Sequence, residues 1–228
     1  MLKHPVNRRT FGAFLSMFGL VQFGLSGCTY KRFAKYSYAL SLKFEAGGKI
    51  YAGRSVVEVD AGIGETIDQG KMFQESFEGE GVLIEFGGGR ALISLIGWYS
   101  WNGSTTGTLL KIFGIAPTGG GDGTDVVTLA GLRQTRALKA DQLPLMIAFS
   151  DVTDPASYEL VKVTNEAGWV APGVRLVSAT IEITDERPAF SLEKKIPWVK
   201  SVSGYLSGRA SSGPDNRWVQ ISDITRRF

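Results

Sequence analysis

Two pairs of carboxylates and one aromatic cluster are the side chains whose spacing can do chemistry. Asp151 and Asp154, in Phe149-Ser150-Asp151-Val152-Thr153-Asp154-Pro155, flank an expected strand-to-helix turn. Two close carboxylates can move a proton or hold a cation. They serve equally well as a turn residue and a helix cap, and that reading is favoured. Asp122 and Asp125 stand in Gly120-Gly121-Asp122-Gly123-Thr124-Asp125-Val126-Val127-Thr128. This run fits the calcium nonapeptide G-G-x-G-x-D-x-U-x at every fixed position. Such turns bind Ca²⁺ when stacked in a parallel β-roll, where neighbours complete a shell of about six to eight oxygens. A single copy has no neighbour, so a Gly-rich loop with two solvated acids is the default. Trp98, Tyr99 and Trp101, in Gly97-Trp98-Tyr99-Ser100-Trp101-Asn102-Gly103, can stack on a sugar ring or form a partner hot spot. A strand would turn Trp98 and Trp101 to opposite faces, so packing in core and rim is the competing reading.

Other chemistry is excluded by composition. The chain of 228 residues has one histidine and one cysteine, His4 and Cys28. Nothing after Cys28 can supply a Ser-His-Asp or Cys-His site, His-ligated zinc, a thiolate metal site or a disulfide. No phosphate-binding Gly-rich motif stands between a strand and a helix. No cofactor is expected. Glu182, Asp185 and Glu186 read as outward charges, because Ile181 and Ile183 take the inward positions of the same strand.

The N-terminus carries an address. Residues 1–10 are basic, residues 11–25 are mostly apolar, and small residues precede Cys28. That is the order of a secretory signal. Fifteen residues cover only about 22 Å as a helix, short of a ~30 Å hydrocarbon core. Leu25-Ser26-Gly27-Cys28 resembles a bacterial lipobox. The resemblance implies cleavage before Cys28, a diacylglyceryl group on its sulfur and an acyl group on its new amine. Two or three acyl chains anchor a protein stably where one does not. Thr29, a non-Asp residue after the cysteine, implies sorting to the outer membrane. Asn7-Arg8-Arg9-Thr10-Phe11 is similar to a twin-arginine motif, departing from it at Asn7 and Gly12, so the twin-arginine and general secretory routes both stand.

Residues 1–27 are therefore expected to be a signal peptide, residues 28–34 a lipidated basic tether, and residues 35–228 one β-rich domain. Removing Lys3, Arg8 and Arg9 leaves 22 bases against 22 acids. That balance argues against a nucleic-acid partner. Lys31, Arg32 and Lys35 lie beside the expected anchor, where they can touch anionic head groups or simply be solvated.

The elements that must position the candidates read mainly as strands. Tyr36, Tyr38, Leu40, Leu42 and Phe44 share one face of a half-buried strand. Glu45-Ala46-Gly47-Gly48 turns it into a second strand, giving a hairpin over 36–60. A second hairpin spans 82–86 and 91–96. Its near-continuous run Ala91-Leu92-Ile93-Ser94-Leu95-Ile96 suits a strand covered on both faces. Further strands are expected at 108–115, 125–129, 145–150, 175–184 and 218–221, with a Gly-rich loop near 117–124. Short helices are expected from Asp154-Pro155 and within 194–202, the latter limited by Pro197. The fold class is mainly β: an antiparallel β-sandwich or partly closed barrel, with α+β as the alternative. Phe228 ends the chain as many outer-membrane barrels end. Such a barrel needs at least about eight strands of ~10 residues, more and longer than these.

Six stretches together are similar to an uncharacterised family of proteobacterial envelope proteins. They are Tyr36-Ser37-Tyr38-Ala39-Leu40-Ser41-Leu42; Gly53-Arg54-Ser55-Val56-Val57-Glu58-Val59; Leu143-Pro144 leading to Phe149-Ser150-Asp151 and Asp154-Pro155-Ala156-Ser157; Pro172-Gly173-Val174-Arg175-Leu176; Thr180-Ile181-Glu182-Ile183-Thr184; and Ile196-Pro197-Trp198-Val199. The chain departs from the family pattern at Ala171, which stands in place of a Gly. The resemblance implies one continuous domain and an envelope location, and transfers no catalytic residue. The expected function is a lipid-anchored, periplasm-facing, non-enzymatic adaptor or assembly factor with an envelope protein partner. The alternatives are a glycan- or lipid-binding module using the aromatic cluster, and a carboxylate hydrolase using Asp151 and Asp154.

Overall fold

The computed structural model describes residues 29–66, 70–98, 104–118, 122–161, 169–171, 173–202, 204, 206 and 219–226. Two long strands begin it, β1 (Thr29–Ala46) and β2 (Lys49–Thr66). They pair antiparallel along their whole length, from Thr29 opposite Glu65 to Ala46 opposite Lys49. The two-residue link Gly47-Gly48 has φ of 56° and 74°. A tight hairpin turn whose twist matches its strands needs both residues in that region, and only glycine enters it freely.

β3 (Gly70–Glu80) lies beside β2, and β10 (Val174–Thr184) lies on the other side of β1. β6 (Thr135–Ala137), β9 (Trp169–Ala171) and β11 (Thr225–Arg226) complete the large sheet, in the order β11-β3-β2-β1-β10-β6 with β9 also on β10. The smaller sheet has the order β4 (Leu83–Gly87), β5 (Arg90–Ser94), β7 (Met146–Phe149), β8 (Tyr158–Val161). All pairings within the described residues are antiparallel, the two sheets stay separate and no barrel closes. The mainly β, sandwich-like class is thus the observed one.

The period-two stripe of β1 is the centre of the main core. Tyr36, Tyr38, Leu40, Leu42 and Phe44 are buried against Ile84, Leu92 and Met146 of the small sheet. They also meet α1 (Thr105–Phe113) and α2 (Thr124–Ala130) through Leu109, Phe113, Val126 and Leu129. Fully burying each such side chain is worth about 1.5–3 kcal/mol. The opposite face of the small sheet makes a second core. There Ile93, Ile147, Phe149 and Tyr158 pack on Leu192, Ile196, Trp198 and Val199, which belong to or flank α3 (Leu192–Lys195) and α4 (Trp198–Ser201). β5 is therefore covered on both faces, as its apolar run requires. Sheet and connection meet closely at Gly81, where an added Cβ would lie 1.9 Å from the Ser94 carbonyl oxygen.

Five expectations are corrected. Residues 29–34 are not a tether but the start of β1, because β2 runs on to Thr66 and gives their backbone groups partners. The expected strand at 108–115 is helix α1. Ser104 caps it by accepting the Gly107 N–H at 2.9 Å, and Gly114 ends it in the left-handed region. The expected strand at 125–129 is helix α2, with Val126 and Leu129 on its buried side. No helix follows Asp154; turns lead straight into β8. The expected strand at 218–221 gives way to a short 3₁₀ turn over Ile221–Asp223, and Trp218 lies outside the described residues. The 194–202 helix is present but broken into α3 and α4 at Pro197.

Candidate functional site

A groove of about 280 Å³ lies where the end of the long-stranded ribbon meets α1 and α2. The ribbon contributes Phe33, Ile63 and Phe73, and the helices contribute Thr106, Gly107, Leu110 and Val126. Ile63 and Phe73 are register neighbours on β2 and β3. Phe33 falls where the β1–β2 register slips between Arg32 and Ala34. Such a slip re-aims a side chain. The Phe33 ring closes against Gly123 so tightly that a Cβ there would lie 2.2 Å from its Cγ. Ser104, Thr118 and Asp125 add a polar margin, with Pro117 beside them.

The helical wall is held from the sheet. The Glu75 carboxylate on β3 accepts the Thr105 N–H at 2.9 Å and the Thr106 N–H at 2.6 Å. These are N–H groups of the first helical turn, which have no partner inside the helix. Burial pushes the Glu75 carboxyl above its ordinary range, against the pull of the Thr106 and Thr105 hydrogen bonds. The Tyr36 hydroxyl and Thr106 Oγ1 share a buried hydrogen bond of 2.9 Å. Burial raises the Tyr36 pKa well above its ordinary value. Both groups brace the start of α1 from the sheet.

The sequence candidates fall elsewhere or serve the fold. Trp98 is 7% exposed, with its indole N–H donating to the Gln142 carbonyl at 2.6 Å and its ring 5.5 Å from Tyr38. Its backbone N–H donates to Thr105 Oγ1 at 3.0 Å, so it backs α1 and offers no open face. Tyr99 and Trp101 lie outside the described residues, as does Cys28.

Asp122 Oδ1 accepts the Thr124 N–H at 3.0 Å and the Thr118 hydroxyl at 3.3 Å. Asp125 Oδ2 accepts the Thr118 N–H at 3.2 Å. Both acids tie Thr118 to the start of α2, and the residues after them are helical where a β-roll needs a strand. Hydrogen bonds from Thr124, backbone first, hold the Asp122 carboxyl below its ordinary range.

Asp151 Oδ1 accepts the N–H and hydroxyl of Thr153 at 2.9 and 2.7 Å, and Asp154 Oδ1 accepts the Ala156 N–H at 2.9 Å. These are local turn closures. The Thr153 hydroxyl, then its N–H, lowers the Asp151 pKa. Glu182 and Glu186 face outward to Arg54, with Glu186 bidentate at 2.8 and 2.6 Å, and Asp185 pairs with Arg133.

Sequence reasoning missed the groove because its walls come from five separated segments. Two local signals bear on it: the Ser104 and Gly114 caps that mark α1, and the acid Glu75 at an otherwise inward position of β3. Among the described residues no group of three or more His, Cys, Asp or Glu side chains is placed to hold a metal ion. No protein-family model, curated protein or solved structure matches the chain.

Proposed function

We propose that this chain is a lipid-anchored outer-membrane protein, facing the periplasm, that acts as a non-enzymatic adaptor. Its groove takes an apolar side-chain anchor of an envelope protein partner. The observation that carries this reading is the groove itself: an apolar slot of about 280 Å³ with a polar margin. Small-molecule sites usually run to roughly 300–1,000 Å³, so the slot is small for a cofactor. An aromatic or branched side chain set in a pocket with a polar rim is the usual form of a binding hot spot. The anchoring part of the reading is supported by the order of basic, apolar and small residues before Cys28.

The test is a photo-reactive amino acid placed at Phe73 in intact cells, with Val177 as the control. Val177 is comparably exposed, near the other end of β1. A single protein adduct at position 73, absent at 177, is the expected outcome. No protein adduct at 73 would refute the adaptor. An adduct with the mass of a glycan would assign the groove to a binding module instead.

A further inference from the structure

The end of the ribbon that carries Thr29 is also an apolar tip. Tyr30 and Met72 are each 45% exposed, and Phe73 is 41% exposed. They sit in two adjacent rows of the sheet. Tyr30, Gly64 and Met72 form one row, and Lys31, Ile63 and Phe73 form the next. Successive rows present their side chains on opposite faces, so both faces of the tip carry an exposed apolar residue. Lys31 is exposed in the second of these rows, and Lys71 is exposed in the row beyond, opposite the exposed Glu65. Apolar side chains flanked by lysines suit a bilayer interface, where the Phe73 ring and the Met72 thioether enter the head-group boundary and the ammonium groups meet phosphates.

We propose that this tip, through Met72, Phe73, Lys31 and Lys71, rests in the surface of an anionic phospholipid bilayer. The domain then stands on the membrane instead of swinging from it. The inference rests on the proposed lipid anchor. Chain position selects this end: the 28 residues before β1 finish at Cys28, adjacent to Thr29. β1 is 18 residues long, about 60 Å of strand at roughly 3.3 Å per residue. The far end, with Ile50 and Val177, is therefore held well away from the lipid. An interface at the tip also places the groove, which shares Phe73, beside the membrane surface. A partner's anchor would then be met at the membrane surface.

A fluorophore ruler tests this in the full-length lipidated protein, reconstituted into phosphatidylethanolamine–phosphatidylglycerol vesicles. Lipidation blocks the sulfur of Cys28, so Met72→Cys and Val177→Cys each introduce the only reactive thiol. A label at 72 should be quenched severalfold more by doxyl lipids than one at 177, and shielded from iodide. Lys31→Glu with Lys71→Glu should reduce that difference. Equal iodide access at 72 and 177, with the unlabelled wild type free of reactive thiol when denatured, would overturn the tip contact while leaving the anchor standing. A denatured wild type that reacts with maleimide would remove the anchor, and the inference with it.

Discussion

The Glu75 carboxylate on β3 accepts the Thr106 N–H of α1 at 2.6 Å, joining the large sheet to the helix that walls the groove. Glu75→Ala leaves the Thr105 and Thr106 donors without this partner, which should cost about 1–3 kcal/mol in urea unfolding. The pH dependence has a definite sign. Burial raises the folded pKa of Glu75 above its ordinary value of 4.5. The fold therefore carries a cost for the charged form, and that cost is relieved as pH falls through the folded value toward 4.5. Glu75→Gln cannot gain this relief. Wild type should gain on the Gln variant as the pH is lowered through that window. A constant difference between them would show that the carboxyl is not buried in solution.

Glu80, five positions on, makes a parallel attachment to α3. It is 4% exposed, and it accepts the Ser191 N–H, the Ser191 hydroxyl at 2.6 Å and the Leu192 N–H at 3.0 Å. Ser191→Ala removes one donor and should cost about 1 kcal/mol. Glu80→Ala removes the acceptor of all of them and should cost about 3 kcal/mol. The pair is read by guanidinium unfolding. Equal losses would mean that the two backbone bonds contribute nothing.

Trp98 separates core from surface. With its ring buried on Tyr38 and its indole N–H bonded to Gln142, Trp98→Ala should cost about 3–5 kcal/mol. Asp154→Ala removes only a turn bond to Ala156 and should cost about 1 kcal/mol or less. Thermal melts of both variants check this. A Trp98→Ala protein that melts with wild type would return that residue to the binding surface.

What was legible in the chain follows from how local each signal is. Tyr36 to Phe44 alternates strictly, and a period of two has one solution, so β1 and its buried face were readable. The turn at Gly47-Gly48 was readable for the same local reason. The largely apolar run from Leu109 to Phe113 satisfies both a strand and a helix. Only the cap at Ser104 and the stop at Gly114 decide it, and they lie outside the run. Thr29 to Ala34 reads as tether because strand pairing is a property of β2, more than twenty residues later. Aromatic spacing near polar residues leaves both a surface and core packing open for Trp98. The contacts with Tyr38 and Gln142, far away in sequence, decide for the core. The groove combines all these non-local terms, which is why no single motif announces it.

Phe73 is where fold and proposed function come apart most cleanly. It lines the groove, yet it is 41% exposed, so truncation removes only part of a ring's buried surface. Phe73→Ala should cost about 1–2 kcal/mol, since the exposed part of a ring contributes nothing to burial. Leu110, on the facing wall, is 4% exposed and belongs to the core, so Leu110→Ala should cost about 2–5 kcal/mol. If the groove takes a partner's side chain, Phe73→Ala should lower crosslinking from a photo-reactive residue at Ile63 tenfold or more, the loss typical of a hot-spot contact. Its melting curve should stay within a few degrees of wild type. Unchanged crosslinking in a stably folded Phe73→Ala protein would place the partner surface elsewhere. A large drop in stability would instead make Phe73 part of the fold.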